Sequence, residues 1–491
     1  MILRKFSYEE LNEKPISFLR DLGRAVGVKS SANRAKGELI QQIMAIQSGE
    51  LEPSPRSKRG APPKMEFDFS PYCIDAPQDK TLNNGKAVIV KEKIKDISEE
   101  QGYNYNNEES VKVCDHEYTF SDLMGKGVLE ITTNGYGFLR DESYLSSKND
   151  VFVSQPIIKK YNLKRGDKIE GVIKIERKGD SPSLQTVTIL NDEVYSANTV
   201  RKNFDELTPY YPTRKIYLET DDENDVAKRC IDLFAPIGFG QRGLIVAPPK
   251  VGKTTLIKKL AQSIEKNHPS AKLIVLLIDE RPEEVTDIRR SVKSEVIAST
   301  FDEGADRHIR VAELVISRAK RLVERDKDVV ILLDSITRLT RAYNEKAEGT
   351  GKTLSGGLDP SALTPVKKFF GTARNIDDGG SLTIISTALI ETGSRMDDVI
   401  YEEFKGTGNM EIFLSKNLAE KRVFPAIDLY KSGTRKDELL LTKTEHDIVY
   451  ELRRILGETS DATERILETM QKTSNNGDFL KKAEAYIKIH S

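Results

Sequence analysis

The sequence predicts an α/β fold: a parallel sheet flanked by helices, preceded by a small β-barrel and an N-terminal helical unit. Three observations carry this. From residue 229 onward, short Val/Ile/Leu runs alternate with helical patterns. Residues 126–192 hold several short β segments separated by turn signals. Residues 6–47 repeat apolar side chains at helical spacing.

The 491 residues exceed one core, so several domains are expected. With 76 basic and 77 acidic residues the net charge is -1, so any nucleic-acid site must be local. Cys73, Cys114 and Cys230 are far apart, which suits a reducing compartment and excludes a disulfide framework or a Cys-type zinc site. The N-terminus turns acidic before any apolar run forms, and no run approaches a membrane span. A cytoplasmic location and no membrane partner are expected.

In residues 1–50, Ser7 before Glu9 and Glu10 signals a helix start, and Ile16, Leu19, Leu22 and Val26 share a helical face. Leu39, Ile40, Ile43 and Met44 give a later helix. This unit reads as a dimerisation or packing cap or as a weak nucleic-acid-binding accessory. Residues 51–122 begin Pro-rich and basic and continue polar, the composition of a largely disordered tether.

Residues 123–195 read as an OB or cold-shock barrel, with strands at Val128–Thr132, Tyr136–Arg140, Val151–Val153 and Lys168–Ile175. Tyr136 and Phe138 lie two apart and share a face. Phe152 comes from a neighbouring segment, and Arg140 follows in register. Rings and a cation on one sheet face make a stacking platform for single-stranded bases. A core role for these rings is the alternative.

A charged connector, 196–228, leads to the large unit at 229–491, which ends in helices. Its strand candidates are Leu244–Val246, Leu273–Ile278, Val329–Leu333, Leu382–Ser386 and Glu411–Leu414. Continuous apolar runs fit parallel strands buried on both faces. Ala312–Glu324 is one of the crossover helices.

The first strand candidate runs into Ala247-Pro-Pro-Lys-Val-Gly-Lys-Thr-Thr255. Strand, loop, Gly-Lys-Thr and helix make a phosphate-binding loop, with Ala247 in place of the usual first glycine. Lys253 would reach the β- and γ-phosphates of ATP, and the Thr254 hydroxyl would hold Mg2+. The second strand ends at Glu280, placed to orient or deprotonate water. The third ends at Asp334, a metal-holding position. Three strand ends bearing these groups in this order indicate an ATPase. A second Gly-Lys-Thr, at Gly351–Thr353, follows a charged helical stretch instead of a strand and reads as a mobile loop suited to a phosphodiester backbone.

The chain resembles the bacterial transcription termination factor Rho family over about residues 126–440. The runs that carry this are Gly238–Thr254, Leu277–Val285, Ala298–Glu303, Tyr401–Glu411 and Lys421–Asp428. The resemblance implies a RecA-like motor that assembles as a homohexamer ring, an RNA-dependent ATPase and 5′-to-3′ RNA–DNA helicase acting on the RNA polymerase elongation complex. It makes Glu280 the catalytic base beside Lys253. Gly238, Phe239, Gly240, Gln241, Arg242 and Gly243 would border the nucleotide, with Lys250, Val251, Gly252, Thr254, Thr255 and Arg281. Phe424 would pack on adenine, and Arg422 and Arg435 would enter from a neighbouring subunit. Lys352 and Arg395 would sit on two central-pore loops. Gly135, Tyr136, Gly137, Phe138, Leu139, Arg140, Asp150, Val151 and Phe152 match the primary RNA site. The stretch 178–184 lacks the further ring that this family usually presents there.

A DNA helicase or recombinase on the same core is the main alternative, and it would not need the aromatic barrel. A non-catalytic RNA-binding scaffold conflicts with intact Lys253, Thr254, Glu280 and Asp334. A rotary-synthase relative would need a membrane-partner segment.

Overall fold

The computed structural model describes Leu11 and residues 16–26, 28, 35–48, 124–175, 181–196, 201–222, 225–349, 351, 353–458 and 461–490. The tether expected over 51–122 lies outside the described residues. Two compact units divide at Asp115. In the first, α1 (Ile16–Val26) and α2 (Lys36–Ser48) pack Phe18, Leu19 and Leu22 against Leu39, Ile40 and Ile43.

The second unit opens with the barrel: β1 (Met124–Ile131), β2 (Gly137–Arg140), β3 (Val151–Val153), α3 (Gln155–Lys160), β4 (Lys168–Lys174), β5 (Ser183–Leu190) and β6 (Glu193–Val194). The order is β3-β2-β1-β4-β5-β6, closed by a β3–β5 pairing at Phe152 and Ser183. Leu129, Leu139, Val151, Val153, Ile169 and Leu184 fill its interior. Closure removes all but a short edge, so a small sheet persists without a second layer.

The motor follows: β7 (Pro209–Tyr210), α4 (Val226–Phe234), β8 (Arg242–Ala247), α5 (Lys253–Asn267), β9 (Lys272–Glu280), α6 (Pro282–Ser291), β10 (Glu295–Thr300), α7 (Ala305–Val323), β11 (Asp328–Asp334) and α8 (Ile336–Lys346). Then come α9 (Pro360–Gly371), β12 (Arg374–Ile376), β13 (Ser381–Leu389), α10 (Arg395–Lys405), β14 (Met410–Leu414), α11 (Lys416–Glu420) and β15 (Ile427–Thr434). Three helices close the chain: α12 (Lys443–Glu458), α13 (Ala462–Gln471) and α14 (Asn476–His490).

The main sheet runs β10-β9-β11-β13-β8-β14-β15. Its first six strands are parallel, and β15 is antiparallel to β14. Alternate residues divide between two cores. Ile245, Val275, Val330 and Leu332 pack on the face covered by α5 and the C-terminal helices. Leu244, Val246, Ile274, Leu276 and Ile331 pack on the face covered by α7, α8 and α9. Burial on both faces is why these strands read as unbroken apolar runs.

Some elements depart from the sequence expectation. Glu295–Thr300 and Ser183–Leu190 form strands although neither reads as a continuous apolar run. Lys431–Thr434, a polar stretch beyond the last strand candidate, is the second half of edge strand β15, with Ser432 buried. An edge strand needs apolar side chains on one face only, so its sequence is polar enough to pass for loop.

The barrel docks on the motor through shared core. Val128 and Tyr144 belong to the cluster that buries α7. Gly166, at φ +89°, lies so close to the Ser317 and Arg318 backbone that a Cβ would collide with it. Arg165 pairs with Glu313 at 3.1 Å, and Lys164 with Glu324 at 3.4 Å.

Candidate active site and nucleic-acid interface

Parallel strands deliver their C-terminal ends to one side of the sheet, where ligands of such layers bind. Residues 248–252 connect β8 to α5 there. Positive φ falls on Lys250 (66°) and Gly252 (91°) and not on Ala247, so the alanine methyl causes no strain. Gly252 precedes Lys253, the first residue of α5, whose free amides and dipole favour an anion.

Lys253 Nζ donates to Asp334 Oδ1 at 2.6 Å and lies 3.8 Å from Glu280 Oε2. Thr387 Oγ1 donates to the same Asp334 oxygen at 2.7 Å. Asp334 is 1% exposed and Glu280 4%, and Asp334 Oδ2 and Glu280 Oε2 have no hydrogen-bond partner. Burial pushes the Glu280 carboxyl up, the Asp334 and Glu284 charges push the same way, and Lys253 and Arg338 only partly offset them. Two buried carboxylates thus share one lysine. That surplus of acceptor oxygens fits a divalent cation held by Thr254 and Asp334 together with phosphates. Among the described residues no group of three or more His, Cys, Asp or Glu forms a protein cage for a metal.

Three supporting contacts were not anticipated. Thr254 Oγ1 donates to Glu284 Oε2 at 3.0 Å, from the acidic first turn of α6. Arg338 pairs with Asp279 at 2.7 Å, beside Glu280. Phe301 N donates to the Glu280 carbonyl at 3.2 Å and ties the strand end to the loop before α7. The paired glutamates after Pro282 were the sequence signal for the first.

The other expected nucleotide contacts divide by position. Lys250, Thr255 and Arg281 are exposed around the loop, and Val251 is buried beneath it. Phe424, 49% exposed, and Arg422 lie on the turn between α11 and β15, at the same end of the sheet. Gly238, Phe239, Gly240, Gln241, Arg242 and Gly243 do not border the loop. They precede or begin β8, so the strand, about 20 Å long at its usual rise, separates them from it. They are packing residues: Phe239 is buried under Arg214, and a Cβ on Gly240 would meet the Asn375 backbone.

Arg435 also sits at that far end. Its N–H donates to the Asn409 carbonyl at 2.8 Å, and Asn409 Oδ1 accepts from Arg242 N at 2.9 Å. Arg422 and Arg435 therefore lie beyond opposite ends of β15, about 25 Å apart at strand rise, and cannot both reach one phosphate.

The two loops expected at a pore come together. The backbone of Met396, next to Arg395, approaches Gly356 so closely that a Cβ there would clash. Arg395 is exposed, and Asp397 beneath it is held by Arg341 at 2.8 and 2.7 Å and by Thr392 at 2.6 Å. Lys352 lies outside the described residues, as do 178–180 of the stretch without a ring.

On the barrel, Tyr136, Phe138 and Phe152 form a trio with centroids 5.8, 5.7 and 5.9 Å apart. All three are half-buried, whereas Gly137, Leu139 and Val151 point into the barrel. Tyr136 precedes the strand, at the end of the turn containing Gly135 (φ 83°). Arg140 shares the ring face and lies 4.9 Å from the Phe138 centroid. It is not a free cation, however. It is 4% exposed and pairs with Glu130 at 2.6 Å and with Asp150. Alternation along a strand fixes the face of a residue, not its depth. No described helix is long and apolar enough to cross a membrane.

Residues 125–194 match the family described as Rho termination factor, RNA-binding domain, and residues 227–434 match the ATP synthase alpha/beta family, nucleotide-binding domain. The chain is 55% identical over 365 residues to the transcription termination factor Rho of Cereibacter sphaeroides, covering 73% of this chain and 86% of that protein. It is 53% identical over 359 residues to that of Bacillus subtilis (73% and 84%) and 53% over 372 residues to that of Escherichia coli (74% and 88%).

Proposed function

The chain belongs to the transcription termination factor Rho family, an RNA-binding, ATP-hydrolysing one, and on that premise we propose how it works. It is a Mg2+-dependent, RNA-stimulated motor that moves 5′ to 3′ along nascent single-stranded RNA, separates RNA–DNA hybrid and releases transcripts from the RNA polymerase elongation complex. It works in the cytoplasm as a homohexamer ring.

The observation that carries this reading is the convergence of Lys253, Glu280 and Asp334 at one end of a parallel sheet, on a unit whose docked barrel presents a ring trio. Lys253 meets the phosphates. Thr254 and Asp334 hold the cation, which supplies charge stabilisation on the phosphoryl oxygens when bound. Glu280, buried and short of donors, accepts a proton from the attacking water. Tyr136, Phe138 and Phe152 stack bases, and the loops with Lys352 and Arg395 grip the backbone in the pore.

ATP turnover measured with poly(C) RNA and with single-stranded DNA of equal length tests the substrate. Strong stimulation by RNA alone is expected. Equal stimulation by DNA would favour a DNA translocase. Displacement of a DNA strand annealed downstream of a 5′ RNA tail tests the helicase step and its direction.

A further inference from the structure

Glu130 lies on β1, in register with Phe138 on β2, and is 6% exposed. Its carboxylate serves two bodies. From the barrel, Arg140 Nε donates to Oε2 at 2.6 Å while the same guanidinium lies against the Phe138 ring. From the motor, Arg310 on α7 donates to Oε1 at 2.7 Å and to Oε2 at 2.6 Å. Burial acts to raise the Glu130 pKa, but the hydrogen bonds and charges of Arg310 and Arg140 outweigh it and hold the carboxyl below its usual range. Glu130 therefore stays ionised, and each arginine is fixed by the other's hold on it.

The contacts continue into the motor. Arg165 lies 4.0 Å from Glu130 and 3.1 Å from Glu313 on α7, and Tyr343 donates to Glu313 at 3.2 Å. Tyr343 is on α8, the helix that joins Asp334 to the glycine-rich loop. The N-terminal end of α7, which also carries Arg310, follows the loop whose Phe301 N–H is bonded to the Glu280 carbonyl. The ring platform and both carboxylates of the candidate active site are thus joined through one buried carboxylate.

We infer that Glu130 and Arg310 are positioning residues that couple base stacking on the platform to ATP turnover. The inference rests on the RNA-platform reading above. A base seated on Phe138 meets the ring that Arg140 backs. Any shift of that guanidinium changes how Glu130 divides its oxygens between Arg140 and Arg310. Because α7 and α8 each carry one end of the contact chain, the change reaches the strand ends that hold Glu280 and Asp334. Neither positioning residue touches nucleotide or base.

The test uses the full chain with Arg310→Gln, Arg310→Lys and Glu130→Gln, beside Phe138→Ala. Four quantities are measured: affinity for a labelled oligocytidine, affinity for ATP, thermal midpoint, and turnover at saturating poly(C). Arg310→Gln should keep both affinities and the midpoint, and lose about tenfold in RNA-saturated turnover, a usual size for coupling between sites. Glu130→Gln should lose turnover likewise, with a lowered midpoint because it breaks a buried ion pair. Arg310→Lys should recover part of the loss. Wild-type turnover in Arg310→Gln would overturn the coupling, and so would a loss in that variant accompanied by a lowered midpoint or weakened ATP binding, which marks a merely structural contact. If Phe138→Ala binds RNA normally, the platform reading fails and the coupling with it. If Phe138→Ala loses RNA while Arg310→Gln behaves as wild type, only the coupling fails.

Discussion

Lys253 and Asp334 face each other at 2.6 Å across the end of the sheet, with Glu280 3.8 Å from the same ammonium. The lysine lies where it can hold phosphate, while the two carboxylates keep one buried oxygen each without a donor. Lysine binds in ground and transition states, whereas a base acts on the attacking water alone. Lys253→Ala should therefore weaken nucleotide binding and turnover together. Glu280→Gln should bind ATP normally and lose about 10^2-fold or more in turnover, the scale of a positioned general base. Nucleotide titration beside steady-state rates checks this, and equal loss of affinity in both variants contradicts the roles.

The acid side of the pH profile follows from the same pocket. Burial, then the Asp334 charge, holds the Glu280 carboxyl above 4.5, its ordinary value. The folded chain binds this proton more tightly than the unfolded chain, so ionised Glu280 costs stability above the folded value. That cost fades as pH falls towards 4.5. Turnover should be lost on acidification at a pH above 4.5, because the base must be ionised. Without ligand, Glu280→Gln should melt higher than wild type near neutrality and lose that advantage in acid. A variant that melts lower at neutral pH would show the carboxylate to be structural.

The ring trio separates stacking from core. Tyr136, Phe138 and Phe152 are half-buried and lean on one another, while Leu129, Leu139 and Val153 fill the barrel. Tyr136→Ala or Phe138→Ala should cost about 1–3 kcal/mol of RNA affinity per stacked base. Far-ultraviolet dichroism and thermal midpoint should change little. An unfolded barrel would return these rings to the core.

Gly166 tests the docking of barrel on motor. Its φ of +89° and its approach to the Ser317 backbone exclude any Cβ without movement. Gly166→Ala should destabilise by about 1–3 kcal/mol, the scale of a strained backbone position. A lowered thermal midpoint with little change in ATP affinity is expected. An unchanged midpoint would mean that the two parts do not need this contact.

Legibility in the sequence tracked burial. Four of the five strands seen as apolar runs are buried on both faces, so their composition has no polar alternation to confuse it; β14, with Glu411 and Phe413 half-buried, is the exception. Glu295–Thr300 lies at the sheet edge and Lys431–Thr434 on the opposite edge, where one side faces solvent and polar residues are tolerated. The strand ends bearing Lys253, Glu280 and Asp334 were legible because each sits directly after such a run. Gly238–Gly243 misled because sequence adjacency to the loop is not proximity; an extended strand carries its two ends as far apart as it can. Arg140 misled in depth alone. Its partners Glu130 and Asp150 are ten residues away in either direction, and Arg310 is on another domain. Such a long-range ion-pair network leaves no local pattern to read.

Arg435 is the sharpest test of assembly. Asn409 ties it to Arg242, the first residue of β8, whereas the phosphate loop follows the last residue of the same strand. About 20 Å of strand lies between them, beyond the reach of one arginine side chain. Arg435 is exposed and makes no ion pair among the described residues. A planar, permanently charged guanidinium suits the γ-phosphoryl of a neighbouring subunit, where it would spread transition-state charge. Arg435→Ala should bind ATP and RNA, assemble normally, and lose about 10^3-fold or more in turnover, the scale of an arginine finger. Mixing it with Glu280→Gln subunits decides between trans and cis. At some interfaces a wild-type Arg435 then faces a wild-type Glu280, and turnover should reappear as the two are mixed. Mixed rings as inactive as either parent would end the trans assignment. Near-normal turnover of Arg435→Ala alone would mark it as a solvated surface arginine.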